Sequence, residues 1–527
     1  MTPKAQFRAP RSRPLIAILL VALMVSCSWP ILAAPSSTSS TTVKDMPSTR
    51  APSNYVIMCT MDQADPYYAA VTALKTFRGV PDDHIIKFDP KNVDGILPTL
   101  KNLAPRYVAI VMKPLELHIN FTRSFLMMSS KLDADPFSDF SYGIITGATA
   151  ADAVKFVDNI KKAETTGIQN MPLNWSGYAA SSINFVSNYP MGYVSELNPS
   201  SYSMIYMQEN NTGSGLNYFL SNAQTLKNSK VLDIGNNGDP HMVWLFDGGN
   251  INPTPPVWNY NASWIEDPAH ARVGLTSNNI SKYNLFPAVA FNGACHGGET
   301  KTVMVEDDIF ATFGDTGGVR HFYTMSDNFS FALSILKTNI TGYFAPVGAN
   351  NANEKDETMY DAFLYNEPLG DIAKRSTDGV VMGFLGNSPN LTIYKEGESS
   401  YGPDIGPSGT FDPNDWSGAR TMLGGKANRV YFGDPLYDPY KNDHTDTIAW
   451  TNYTLTPINS THLRVNLTTN KPAGFEASYW DKFHYGKTRV YEPVQIPAAY
   501  ANITGLTVIN TSKPLEQAIH AVETFDG

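Results

Sequence analysis

Pro287-Ala-Val-Ala-Phe-Asn-Gly-Ala-Cys-His-Gly-Gly298 runs an apolar stretch directly into a turn of small residues. An unbroken apolar run of this length reads as a strand buried on both faces, which is what a parallel sheet covered by helices requires. The small residues that follow let backbone approach a substrate closely. They also carry a thiol, Cys295, at the carboxyl end of the strand, where open α/β sheets bind their ligands. A thiolate is the reactive form of cysteine, so a base must be found nearby. The second stretch to carry that reading is Lys230-Val-Leu-Asp-Ile-Gly-Asn-Asn-Gly-Asp-Pro-His-Met-Val-Trp-Leu-Phe246, another strand that leaves through a glycine-rich turn. It holds His241.

Outward from these two strands the chain alternates short apolar runs with amphipathic stretches. Tyr55 to Thr60, His84 to Phe88, Arg106 to Met112, Lys230 to Ile234 and Pro287 to Phe291 read as strands. Tyr67 to Phe77, Thr149 to Lys162, Phe329 to Lys337 and Glu357 to Asn366 read as helices. The clearest is the second, with Ala153, Phe156, Val157 and Ile160 on one stripe. Such alternation predicts an α/β domain with a parallel sheet and helices on both faces. After about residue 445 the texture changes. Thr447 to Leu455, His462 to Leu467 and Thr504 to Ile509 alternate polar and apolar residues, which predicts a small antiparallel β-sandwich over 446–527.

His241 precedes Cys295 by 54 residues, and a cysteine with a histidine about 50 residues upstream is the arrangement of caspases. The chain resembles the gingipain family of cysteine peptidases, in the caspase-like clan. The resemblance rests on Asn292-Gly-Ala-Cys-His-Gly297, on the glycine-rich strand exit at 235–241, on Asp135-Pro-Phe-Ser-Asp-Phe-Ser-Tyr-Gly-Ile-Ile-Thr-Gly147 ahead of the helix from Thr149, and on Phe432-Gly-Asp-Pro-Leu-Tyr437. It implies a catalytic unit over 54–445, with an N-terminal subdomain to about 200 and a caspase-like subdomain from 201. It also implies an immunoglobulin-like domain after it, and cleavage of protein or peptide substrates. Cys295 would be the nucleophile and His241 the base, with the backbone N–H groups of Gly238 and Cys295 as oxyanion donors. No cofactor is implied as a requirement, while calcium is a candidate ligand of Asp133, Asp135 and Asp139, or of Asp434, Asp438, Asp443 and Asp446. The chain departs from the family at one point. The family places His-Gly where this sequence has Asn237-Gly238, and an amide at that position cannot take the thiol proton. Two readings stay open: a cysteine endopeptidase with a Cys295–His241 dyad, or a peptidase-like surface binding protein without activity. His296 reads as a wall of the pocket rather than as the base, since neighbouring side chains on an extended chain point apart.

The 527-residue chain has 42% hydrophobic and 12% aromatic residues, enough for a large core, so a disordered or collagen-like chain is excluded. Its net charge of −10 provides no summed positive field for phosphate backbones, which argues against nucleic acid as a partner. Lys4, Arg8, Arg11 and Arg13 followed by the apolar run from Leu15 to Val25 read as a secretory signal over 1–34. The end of that run, Met24-Val-Ser-Cys27, resembles a lipobox, so the exported chain is either tethered by a lipid on Cys27 or released by cleavage near Ala33 or Ala34. Residues 35–53 form a Ser/Thr/Pro-rich linker. Thirteen Asn-X-Ser/Thr sequons lie between Asn120 and Asn510, and both chance and glycosylation explain their number. With Cys27 set aside, only Cys59 and Cys295 remain, too few for a disulfide framework. Cys59 reads as a small core hydrophobe.

Overall fold

The structure, a computed structural model, describes residues 55–132, 137–166, 174–180, 201–207, 230–235, 238–239, 242–244, 274–294, 296–306, 320–347, 368–385, 429–439 and 451–469. They fall into two compact units, Tyr55–Pro439 and Thr451–Thr469.

The first unit is built on one ten-stranded sheet. Its strands are β1 (Tyr55–Cys59), β2 (Ile85–Lys87), β3 (Tyr107–Val111), β4 (Ser141–Ile145), β5 (Asn174–Ala180), β6 (Ser201–Met207), β7 (Val231–Gly235), β11 (Val289–Asn292), β14 (Gly342–Pro346) and β15 (Arg429–Phe432). Between them in sequence lie β8 (Gly238–Asp239), β9 (Met242–Trp244) and β10 (Gly274–Thr276), which form a three-stranded sheet, and the hairpin β12 (Thr302–Glu306) with β13 (Arg320–Thr324). The order across the large sheet is β2-β1-β3-β4-β15-β14-β11-β7-β5-β6. Every neighbouring pair is parallel except β14 with β15, which is antiparallel. Two parallel half-sheets of opposite direction are therefore joined through one antiparallel seam.

β1, β3, β4, β11 and β14 are buried at every position, so both faces of the sheet are covered there. The covering helices include α1 (Tyr68–Arg78), α2 (Leu97–Leu103), α3 (Ile119–Met128), α4 (Ala150–Thr165), the short α5 (Ser277–Ile280), α6 (Phe331–Leu336) and α7 (Leu369–Leu385). The sequence starts α4 with a capping box: Thr149 Oγ1 accepts from Asp152 N–H at 3.2 Å, and Asp152 Oδ2 accepts from Thr149 N–H at 3.1 Å. Its buried residues include Ala153, Phe156, Val157 and Ile160, the expected stripe. α1 buries Ala70, Val71 and Leu74 and ends at Gly79, whose φ of 68° is the left-handed conformation glycine accepts without strain. The helix expected over 357–366 lies outside the described residues.

α7 has no counterpart in the expectations. Its buried residues include Asp371, Lys374, Arg375 and Asp378, at helical spacing. Asp371 is held by Tyr107 Oη at 3.0 Å and by Ser141 Oγ, and Asp378 by Lys374 Nζ at 2.7 Å and Ser138 N–H at 2.8 Å. Charges that sequence reading assigns to solvent, Asp371, Lys374 and Asp378, are here paired inside the protein.

The Phe432–Tyr437 motif has a structural role. Asp434 is wholly buried and receives Arg78 Nε and Tyr55 Oη, the latter at 2.9 Å. Arg78 also grips Glu164 with two hydrogen bonds of 2.9 and 2.6 Å. Strand β1, helices α1 and α4 and the turn after β15 are thereby tied at one charged knot.

In the second unit β16 (Thr451–Asn459) pairs antiparallel with β17 (His462–Thr469). These are the first two strands expected for a β-rich C-terminal region. The third, at 504–509, lies outside the described residues.

Candidate functional site

β11 lies between β14 and β7, parallel to both. Its register with β7 runs from Val289 opposite Val231 to Asn292 opposite Ile234, and Gly293 N–H extends the pairing by donating to Ile234 O at 2.9 Å. The two stretches that decided the sequence reading therefore leave the sheet as immediate neighbours. Both leave from the carboxyl ends of parallel strands.

The turn after β11 is fastened from within. Asn292 Oδ1 accepts from Ala294 N–H at 2.8 Å, and its Nδ2 donates to Tyr343 Oη at 2.7 Å. That phenol donates in turn to Gly297 O at 2.7 Å. Burial pushes the Tyr343 pKa far above the ordinary phenol value, so the hydroxyl keeps its proton. Gly297 has to be glycine, because a Cβ there would stand 2.3 Å from Asn292 Nδ2. Gly298 N–H donates to Pro346 O at 2.7 Å, which ties the turn to the end of β14.

Beyond the turn, His296 has φ 60°, and its Nδ1 lies 3.0 Å from Oε1 of the buried Glu299. The chain is not extended at His296, so strand alternation does not set the direction of its ring, contrary to the expectation from sequence. The Glu299 contact and the left-handed backbone set it instead. Thr300 Oγ1 is 2.7 Å from both Pro114 O and Leu117 O, which fixes this segment against the turn that follows β3.

Cys295, His241 and Asn237 lie outside the described residues, although Ala294 and His296 on either side of Cys295 do not. Gly238 belongs to β8, opposite Val243, and Asp239 pairs with Met242. Asn292, Tyr343 and Glu299 form the frame of the site; of these only Asn292 stood in the motif read from sequence, with no role assigned to it. Asn292 was legible as the one polar residue between a buried strand and its glycine turn. Tyr343 and Glu299 carried no signal of their own.

The acidic residues considered for calcium have other engagements where they are described. Asp434 is the centre of the Arg78 knot, and Asp139 Oδ2 accepts from Leu132 N–H at 2.7 Å. Asp133, Asp135, Asp443 and Asp446 lie outside the described residues. Among the described residues no group of three His, Cys, Asp or Glu side chains is placed to hold a metal ion. Cys59 is buried, and burial pushes its thiol up to about 11. Among the described residues no helix is long and apolar enough to cross a membrane.

No family model matches the chain, and no curated protein matches it. Solved structures similar to it include the complex of Porphyromonas gingivalis RgpB pro- and mature domains, at 9% identity and TM-score 0.43, covering 78% of this chain and 86% of that one. Others are a protease structure at 11% identity and TM-score 0.43, covering 78% and 83%, and the Arg-specific cysteine proteinase gingipain R at 11% and 0.42, covering 78% and 85%. At this level the likeness is a distant one of fold.

Proposed function

We propose that the chain is an exported cysteine endopeptidase in which Cys295 is the nucleophile and His241 its base. The observation that carries this is the parallel pairing of β7 with β11, continued by the Gly293–Ile234 hydrogen bond, which brings the exits of the two strands together. The Asn292–Tyr343–Gly297 chain supports it further. It fixes the residues on both sides of position 295, and a nucleophile needs that preorganisation.

In this reading His241 takes the thiol proton and the thiolate sulfur attacks the scissile carbonyl carbon. The backbone N–H groups of Gly238 and Cys295 hold the oxyanion. The C–N bond then breaks as the imidazolium returns the proton to the leaving amine. Water, deprotonated by the same imidazole, hydrolyses the thioester and restores the thiol. The leader over 1–34 directs export, with a lipid on Cys27 or cleavage at its end. The region from 446 completes a β-sandwich of immunoglobulin type.

The test is alkylation by iodoacetamide across pH 5 to 9, mapped by mass spectrometry, in the parent protein and in the His241→Ala and Asn237→Ala variants. Cys295 is expected to react well below the free-thiol pKa of about 8.5, and to lose that reactivity only in His241→Ala. Cys59 remains unlabelled throughout and serves as the internal control. Slow labelling of Cys295 at ordinary thiol pH in all three proteins overturns the proposal, and leaves a fold that binds without cutting.

A further inference from the structure

Three of the thirteen sequons have all three residues described with their exposure: Asn328-Phe-Ser330, Asn339-Ile-Thr341 and Asn459-Ser-Thr461. Transfer of a glycan needs the asparagine amide and the hydroxyl two residues on to be reachable together. In the first, Ser330 is fully buried. Its hydroxyl donates to Glu299 O at 2.8 Å and accepts from Leu333 N–H at 3.1 Å as the cap of α6. In the second, Thr341 is fully buried with Oγ1 2.9 Å from Pro287 O, and the amide of Asn339 donates through Nδ2 to Asn284 Oδ1 at 2.6 Å. Both hydroxyls belong to the core.

Asn328 is exposed as Asn459 is, but Asn459-Ser-Thr461 differs from both in its hydroxyl residue. It forms the turn between β16 and β17, and all three residues are exposed. Thr461 donates to Asn459 Oδ1 through its backbone N–H at 2.9 Å and its hydroxyl at 3.0 Å, and His462 Nδ1 lies 3.0 Å from the same oxygen. Donors gathered on the carbonyl oxygen withdraw charge from the amide and favour loss of a proton from Nδ2.

We propose that Asn459 is an N-glycosylation site of this protein. The donor is an oligosaccharide linked through its anomeric carbon to a lipid phosphate or diphosphate. Nδ2 bonds to that carbon, the bond from the carbon to the phosphate oxygen breaks, and the lipid phosphate leaves with the electron pair. One Nδ2 proton passes to a base of the transferase. The glycan then projects from the hairpin turn and displaces no packed side chain.

The test is secretion of the full-length chain from a yeast host, with its first 34 residues exchanged for the host's own leader so that the outcome does not depend on them. The secreted protein is deglycosylated by an amidase in ¹⁸O-water, and the converted asparagines are mapped by mass spectrometry. Conversion is expected at Asn459. Asn459→Gln and Thr461→Ala each remove that one glycan, while Thr461→Ser retains it. An unmodified Asn459 in secreted protein overturns the proposal. Neither result bears on the thiol reactivity that tests the peptidase reading.

Discussion

Replacing Tyr343 by Phe deletes one oxygen from the frame of the site and keeps the ring that stacks on Phe432 at a centroid distance of 5.8 Å. That oxygen accepts from Asn292 Nδ2 and donates to Gly297 O, both at 2.7 Å and both buried. Each group left without its partner costs about 1 to 1.5 kcal/mol net, so the turn should lose about 2 to 3 kcal/mol of local stability. At about 1.4 kcal/mol per tenfold, opening becomes roughly 30 to 150 times more frequent. Hydrogen exchange of the peptide covering 289–300 reads this directly, because the protected amides of Ala294 and Gly298 lie in it. Peptides from β1 and β3, at the far side of the seam, exchange at the parent rate. A second arm adds Asn292→Ala. Because the two residues share one hydrogen-bond chain, the double variant should cost about 1 kcal/mol less than the sum of the singles. An acceleration under threefold in Tyr343→Phe, or strict additivity in the double variant, would refute the claim that this chain of hydrogen bonds holds the turn.

The remaining predictions concern the scaffold. Asp434→Ala strands the Tyr55 hydroxyl and removes one of the two carboxylates around Arg78, so the urea midpoint of the larger unit should fall by the equivalent of about 3 to 5 kcal/mol. Tyr55→Phe in that background returns about 1 kcal/mol, and a loss below that amount for Asp434→Ala alone would contradict the buried-knot account. His118, at the start of α3, has its pKa lowered to about 4, chiefly by burial and further by Lys91. Its folded pKa lies below the unfolded value, so the unfolded chain binds the extra proton first. The stability that His118 contributes is whole above about pH 6.5 and is lost as pH falls toward 4. Between pH 7 and 5 the loss is about 2 kcal/mol, and it should be absent from His118→Asn. Equal pH slopes for the two proteins in urea titrations would rule this out.

Much of the fold was legible because its elements declare themselves locally. α4 has a capping box and a clean apolar stripe, and β1, β3 and β11 are apolar runs of strand length. α7 was not legible because periodicity arguments equate charge with solvent, and its buried Asp371, Lys374, Arg375 and Asp378 break that equation. Nothing local marks Arg106, Tyr107, Ser138 and Ser141 as their partners, since these lie more than two hundred residues earlier. The antiparallel seam was hidden for a related reason. β14 and β15 each look like an ordinary strand, and only the return of β15 to pair with β4 reverses the direction between the halves.

For the site, the same turn that drew attention also narrows where its chemistry has to come from. The polar side chains described around position 295 are already engaged: Asn292 with Ala294 and Tyr343, His296 Nδ1 with Glu299, and Thr300 with two carbonyls of the 114–117 turn. They hold the loop, which is a sufficient reason for their being there. A base for a thiol at this position can also approach from a neighbouring strand, and β11 has two neighbours. β14 ends in Ala345-Pro346-Val347, with nothing that titrates. β7 continues into Asn236-Asn-Gly-Asp-Pro-His241, where the imidazole and the amide compete for one role within five residues. Physical chemistry separates them cleanly, since an imidazole can take the thiol proton and an amide cannot. A pair of variants at Asn237 and His241 therefore tests the function itself, whereas substitutions around Cys295 chiefly test the frame.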